Sequence, residues 1–314
     1  MTADVNPEEA ADEQRPRVCW IGTGVMGAPM AAHLIDAGYR LDVFNRTRER
    51  AQALTDGGAR WHDSPGDAAA GADVVCLMLG YPSDVREVAL GGDGVLERMQ
   101  PGSLLIDLTT SEPSLALEIH TAARARGLHA LDAPVSGGDV GARNASLVIM
   151  VGGEQDAFDR ALPLLSVLGQ TITLQGGPGA GQHTKMVNQI AIASGMIGLC
   201  EALLYAHRAG LDIEQAIDTI SGGAAGSWSL SNYGPRVLRG DFRPGFKIDH
   251  FVKDLGIALA EARRMKLALP GTALAEQLYI AAQAHGLGQK GTHALSLALA
   301  QLSNERWPQD QSAG

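Results

Sequence analysis

Cysteine is scarce in this chain, with Cys19, Cys76 and Cys200 alone among 314 residues. They lie far apart, which excludes a disulfide framework and a cysteine metal cluster. Cys19 and Cys76 fall inside apolar runs, where cysteine acts as a small buried hydrophobe. An excess of basic charge is missing as well. Lys and Arg number 25 against 35 Asp and Glu, a formal charge of -10, and the pI is about 5.3. Nucleic acid is therefore not expected as a partner, because neutralising phosphates requires a basic face. Nor is there a long unbroken apolar run. The most apolar stretch, 185–209, is interrupted by Lys185, Asn188, Gln189, Glu201 and Arg208 and is expected to fail as a membrane span. Residues 2–16 lack the basic and apolar segments of a signal peptide. They carry Asp4, Glu8, Glu9, Asp12 and Glu13 with Pro7 and Pro16, so 1–16 reads as a disordered acidic extension. No internal repeat is present, and the expectation is a soluble, cytoplasmic protein without a membrane partner.

Glycine, by contrast, is abundant at 39 residues, and the chain is 45% hydrophobic against 19% charged, enough for two domains. The apolar run Val18, Cys19, Trp20, Ile21 reads as a strand. It leads into Gly22, Gly24 and Gly27, with Val25 and Met26 between the last two, and then into an apolar helical period from Pro29 to Ala37. A G-x-G-x-x-G turn between strand and helix is suited to a dinucleotide. Its first glycine permits the tight turn, the second lets the backbone approach a pyrophosphate, and the third lets the helix lie close on the strand. Unpaired N–H groups at the helix start face the anion, so no basic side chain is needed there.

A second strand, Leu41 to Phe44, ends at Asn45, about 20 residues past the first glycine, where an acidic residue would grip the ribose of NAD. Asn45, Arg46, Thr47 and Arg48 stand there instead. An amide, a hydroxyl and guanidinium forks suit a ribose 2′-phosphate, so NADP(H) is expected in preference to NAD(H).

Strand-like runs at 73–79, 103–108, 128–133, 147–151 and 171–174 alternate with helical stretches. The alternation implies an α/β domain over 17–179, a doubly wound, mostly parallel sheet covered on both faces. Ligands bind such sheets beyond the carboxyl ends of the strands, which singles out 79–82, 109–111 and 134–138. After Gly176, Gly177, Pro178 and Gly179 no further strand is expected. Helices near 181–209, 213–220, 251–266 and 274–285, with a turn-rich segment at 221–245, make an all-helical domain over 180–308. Lys185 lies one turn into the long helix, and Asn188 and Gln189, three and four residues on, share its face. The preceding glycine-rich linker is expected to place this lysine over a cleft between the domains, making it the candidate catalytic residue. Ala191, Ala193, Ser194, Gly195 and Gly198 would let another helix approach closely, so a homodimer or homotetramer through the helical domain is expected.

Residues 21–39, the segment 131–138 (LDAPVSGG), the segment 179–189 (GAGQHTKMVNQ) and Lys253, Asp254, Leu255 stand in an order and spacing that resembles the β-hydroxyacid dehydrogenases. The resemblance runs from about residue 17 to about residue 302 and is strongest to the tartronate semialdehyde reductase and 3-hydroxyisobutyrate dehydrogenase branches. It implies an N-terminal Rossmann-type domain followed by an all-α domain. The implied activity is hydride transfer between a nicotinamide and a small carboxylated aldehyde or matching 3-hydroxy acid. By position, the resemblance makes Lys185 the general acid/base and gives Ser136, Gly137 and Gly138 the substrate carboxylate. It also puts Lys253 beside the nicotinamide, Thr109 near the ribose, and Met78 and Leu79 along the cofactor cleft. Residues 222–228 match the loop that closes over substrate, where Trp228 offers an apolar wall and Tyr233 a hydroxyl. The chain departs from many members in having Gln189 four residues after the lysine and Asn188 three, so either amide is a candidate substrate contact. Imine reductases use a similar scaffold but generally replace the lysine with an acidic residue or tyrosine. A non-catalytic dinucleotide-binding module, the remaining alternative, has no use for Ser136, Lys185 and Lys253 together.

Overall fold

The computed structural model describes residues 15–305; the acidic extension expected over 1–16 lies outside them apart from Arg15 and Pro16. The chain divides into two units, Met1–Lys185 and Met186–Gly314.

In the first unit, strands and helices alternate as the hydrophobic pattern requires. β1 (Val18–Ile21) is followed by α1 (Gly27–Asp36), β2 (Leu41–Phe44), α2 (Gln52–Asp56), β3 (Arg60–Trp61), α3 (Pro65–Ala69) and β4 (Val74–Leu77). Then come α4 (Pro82–Leu90), α5 (Val95–Arg98), β5 (Leu104–Asp107), α6 (Pro113–Arg124), β6 (His129–Asp132) and β7 (Val135–Ser136). α7 (Gly138–Arg143), β8 (Leu147–Gly152), α8 (Gln155–Leu165) and β9 (Gly169–Gly176) complete it. The strand order is β3-β2-β1-β4-β5-β6-β8-β7, with β9 on β8. From β3 to β6 every pairing is parallel, the order of a doubly wound nucleotide-binding sheet whose switch point lies between β1 and β4. The antiparallel pairings are those of β8 with β6 and β7.

Alternate residues of β1 enter different cores. Val18 and Trp20 pack with Met30 and Leu34 of α1, whereas Cys19 and Ile21 pack with Val75, Leu77 and Leu105 on the opposite face. A strand covered on both faces must be apolar at every position, which explains why VCWI has no polar alternation. Burial pushes the Cys19 and Cys76 thiols well above their usual range, the inert, packing role expected of them. The two-residue strands β3 and β7 were not foreseen, being too short for a period-2 signal.

The second unit is helical. α9 (Ala180–Arg208) enters it from the first and is followed by α10 (Ile213–Ser221), α11 (Trp228–Leu238), α12 (Ile248–Arg264), α13 (Pro270–Ala284) and α14 (Leu295–Leu302). Met196, Cys200 and Leu203 of α9 pack with Phe251, Leu255, Tyr279 and Leu295 in its core. The Tyr279 hydroxyl donates to Thr292 O at 3.1 Å. Among the described residues, its sole strand-like pairing is an isolated bridge, Lys247 with Gly291.

Two expectations are corrected here. The turn-rich segment 221–245 contains α11, because Ser227 caps that helix by accepting from Leu230 N–H at 3.1 Å. Leu230, Gly234 and Val237 supply its buried face, a period that the surrounding glycines and prolines obscured. By length and composition, α9 is also long and apolar enough to cross a membrane, its most apolar window reaching a mean hydropathy of 1.5. The charged residues counted as interruptions, Lys185, Glu201 and Arg208, lie towards its ends, and the amides between them lower hydropathy too little. Of its buried residues, Ala193, Met196, Ile197, Leu199, Cys200 and Leu203 belong to the helical core.

Candidate active site

Geometry at the head of the sheet follows from the glycines. Gly22 has φ +99, and a Cβ there would stand 2.2 Å from Met78 O, so β1 can turn away from β4 only with glycine. A Cβ on Gly27 would stand 2.0 Å from Gly22 O, which fixes how tightly α1 closes on the turn. Gly24 differs, since a Cβ there would meet nothing within 4 Å. Beside it, the hydroxyl of Thr23 is buried without a hydrogen-bond partner among the described residues. Val25 is exposed and Met26 packs partly against the core. Among the described residues no side chain caps the first turn of α1, and that turn carries no acidic residue. An open glycine, an orphaned hydroxyl and uncapped N–H groups together suit the pyrophosphate of a dinucleotide, so these residues fit the group.

At the end of β2, Asn45 braces this turn. Its Oδ1 accepts from Thr23 N–H at 3.1 Å and its amide donates to Thr47 O at 2.8 Å. Arg46 extends into solvent and pairs with Asp84 at the start of α4, Nη1 to Oδ1 3.1 Å. Arg48 lies over the Trp61 ring, 5.3 Å from its centre. Across the switch point, Met78 and Leu79 are half-buried; Leu79 N–H donates to the Thr109 hydroxyl at 2.9 Å, and Thr109 N–H donates to Asp107 at 3.0 Å. Ser136 ends β7, and Gly137 and Gly138 follow with φ +125 and +61. Two successive residues with positive φ turn the backbone in a way that alanine would resist, and the space beside Gly138 is open.

Sequence reasoning missed two residues in this unit. Asp132, at the end of β6, receives Gly179 N–H on Oδ1 and Gln182 N–H on Oδ2, each at 2.8 Å. Gln182, wholly buried, receives Ser111 N–H on its Oε1 at 2.9 Å and donates to Thr109 O at 2.7 Å. Burial raises the Asp132 carboxyl, opposed by the N–H groups it receives. Both residues stood inside the quoted motifs, yet nothing in their spacing separated them from filler. Three residues beyond Gln182, Lys185 is only 7% exposed.

In the helical unit, a chain of polar groups runs through its interior. Asn188 donates to Gln189 Oε1 at 2.7 Å, and Gln189 donates to Asp254 Oδ2 at 2.6 Å. Lys253 Nζ lies 2.9 Å from Asp254 Oδ1. Gln189 and Asp254 are each 1% exposed. Asp254 is thus the buried hub that sequence reasoning passed over, although it stands next to Lys253. Trp228 is exposed at the head of α11 and meets Tyr233 edge-on at 5.2 Å. Tyr233 in turn stacks on His293 at 4.7 Å.

Two family models cover almost all of the described residues. Residues 17–177 match the NAD-binding domain of 6-phosphogluconate dehydrogenase, and residues 179–299 match the NAD-binding domain of NADP-dependent 3-hydroxyisobutyrate dehydrogenase. A mitochondrial 3-hydroxyisobutyrate dehydrogenase-like protein of Arabidopsis thaliana is 54% identical over 289 residues, 92% of this chain and 86% of the relative. The 2-hydroxy-3-oxopropionate reductase of Escherichia coli strain K12 is 37% identical over 287 residues, 91% of this chain and 98% of the relative. The structure of Mycobacterium tuberculosis 3-hydroxyisobutyrate dehydrogenase with L-serine aligns at a TM-score of 0.83 and 32% identity, covering 91% of this chain and 99% of that one. The molecule is therefore a pyridine-nucleotide-dependent oxidoreductase acting on CH–OH groups. Within that class, it belongs to the β-hydroxyacid dehydrogenase family.

Proposed function

We propose that the chain reduces small carboxylated aldehydes with NADPH, and in reverse oxidises the matching 3-hydroxy acids, with Lys185 as general acid/base. The observation that carries this reading is the burial of Lys185 one turn into α9, directly after a first turn held by Asp132 and Gln182. Lysine is almost never fully buried unless it is paired, so the burial marks a polar setting around its ammonium. When bound, the nicotinamide supplies or takes up the hydride. Lys185 holds the proton at Nζ, donates it to the carbonyl oxygen during reduction and recovers it during oxidation. Its positive charge also stabilises the developing oxyanion where water is excluded. Ser136 and the backbone N–H groups of Gly137 and Gly138 hold the substrate carboxylate. Arg46 and Arg48 read the 2′-phosphate, and Lys253 serves the nicotinamide end of the cofactor.

Of the two adjacent amides, Asn188 is assigned to the substrate. Both ends of the Gln189 amide are engaged, by Asn188 and Asp254, so Gln189 orients its neighbour. Trp228, exposed at the head of α11, offers the apolar wall that selects the substrate. Pairing of two copies through α9 is supported by its exposed stripe of Ala191, Ser194, Gly195, Gly198 and Tyr205. Light scattering at micromolar concentration is expected to report at least a dimer, and a monomer overturns that part.

The deciding experiment follows NADPH consumption on tartronate, methylmalonate and succinate semialdehydes, glyoxylate and a cyclic imine. Turnover on a carboxylated aldehyde is expected, falling about 10²- to 10⁴-fold in Lys185→Ala. Turnover on the imine alone defeats the reading.

A further inference from the structure

We propose that Asp132 and Gln182 are positioning residues for Lys185, a role that rests on the reading of Lys185 as the proton donor. Asp132 is 4% exposed and Gln182 fully buried, and both tie down the start of α9. Asp132 takes the N–H groups of Gly179 and Gln182, one on each carboxylate oxygen. It thereby satisfies two donors that a helix start otherwise leaves without partners. Gln182 then reaches into the segment after β5, bonding Ser111 N–H and Thr109 O with the two ends of one amide. A planar amide bonded at both ends has no freedom to rotate or slide.

Glycine makes this contact possible. A Cβ on Gly181 would stand 2.4 Å from Met150 O and 2.6 Å from Asp132 O, and one on Gly152 would stand 2.5 Å from Asp132 Oδ1 and 2.6 Å from Gly181 N. The backbone of α9 is therefore packed closely on the ends of β6 and β8, with the Asp132 carboxylate as the side chain at the contact. Lys185 stands one helical turn beyond, at a rise of about 1.5 Å per residue, so movement of the first turn passes straight to its Cα. The same Thr109 whose carbonyl receives Gln182 offers its hydroxyl to Leu79 N–H. One continuous set of hydrogen bonds thus joins the head of β4, the segment after β5 and the helix bearing the lysine.

The test is a double-mutant cycle on kcat, using Asp132→Asn, Lys185→Ala and the double variant, with NADPH affinity read separately by fluorescence. Asp132→Asn places an N–H against an N–H donor and releases the helix start. Its kcat is expected to fall about 10- to 100-fold, the cost of a displacement of about 1 Å in a reacting group. NADPH affinity should stay within about twofold. In the Lys185→Ala background the same substitution should change the residual rate by less than about twofold, since nothing remains to be positioned. An undiminished fall in that background, or no fall in the single variant, overturns the proposal and leaves the reading of Lys185 intact. Full activity in Lys185→Ala overturns that reading and the proposal with it. Gln182→Met, which keeps the side-chain length and loses both amide bonds, runs through the same cycle and carries the test where Asp132→Asn does not fold.

Discussion

Gln189 donates to Asp254 at 2.6 Å, a hydrogen bond between two side chains that solvent scarcely reaches. A buried carboxylate stripped of such a donor keeps its desolvation penalty without compensation, roughly 1–3 kcal/mol and more for a charged group. Gln189→Leu is therefore expected to lower the unfolding midpoint and to misplace Asn188 and Lys253 together. Asn188→Ala, which removes one neutral hydrogen bond to Gln189, should cost less, about 1 kcal/mol, while raising KM for the carboxylated substrate. Thermal unfolding and steady-state kinetics on the two variants separate the roles; equal loss of stability in both would remove the distinction.

The glycines of the nucleotide turn differ in a way that stability and binding can resolve. A Cβ at Gly27 collides with the backbone at Gly22, whereas a Cβ at Gly24 enters open space. Gly27→Ala should cost about 1–3 kcal/mol of stability, the range for overpacking. Gly24→Ala should unfold at nearly the wild-type temperature and lose NADPH affinity by tenfold or more, about 1.4 kcal/mol. Unchanged affinity in Gly24→Ala would mean that the pyrophosphate does not approach there.

This division was largely legible from the chain itself. The apolar run Val18–Ile21 with glycines 22, 24 and 27 located the turn, and alternating strands and helices gave the parallel sheet, because period and spacing are local properties. The long helix Ala180–Arg208 was legible for the same reason. Asp132, Gln182 and Asp254 were not. Their side-chain hydrogen bonds reach partners 47 to 73 residues away, and a long-range hydrogen bond leaves no period in the sequence. The start of α11 at Trp228 was hidden differently, by glycines and a proline that ordinarily announce turns.

Stability should depend on pH through His293. Its ring is fully buried, its Nε2 donates to Asp241 O at 2.7 Å, and it is stacked between Tyr233 and Phe242. Burial, with the nearby Arg236 charge, pulls the imidazole down to about 4 against the opposing pull of Asp241. The folded state thus favours the neutral ring. Its contribution is complete above the unfolded value near 6.5 and is lost as pH falls from there through about 4, by roughly 3 kcal/mol in total. His293→Gln keeps a donor for Asp241 O and cannot titrate. Denaturant unfolding at a series of pH values should show a shallower decline below pH 6.5 in the variant than in the wild type. Parallel curves would assign the acid sensitivity to other groups.

Cofactor choice should turn on a competition at Arg46. Its guanidinium already pairs with Asp84 at 3.1 Å in an exposed position, where an ion pair contributes about 0–1 kcal/mol. A ribose 2′-phosphate offers more charge and a bidentate partner, so exchange of the Asp84 carboxylate for it is expected at small cost. Replacing both Arg46 and Arg48 with alanine should raise KM for NADPH about 10- to 100-fold, as expected for charge-assisted bonds of about 1.5–3 kcal/mol. KM for NADH should stay within about twofold. Asp84→Asn acts in the opposite direction: it retains an acceptor for the Tyr81 N–H that Asp84 receives at 3.2 Å and removes the competing charge. Its KM for NADPH should fall below the wild-type value, most clearly at low salt, where exposed charges are least screened. A wild-type enzyme that prefers NADH, or an Asp84→Asn variant that binds NADPH more weakly, would locate the determinant of cofactor choice elsewhere than at Arg46.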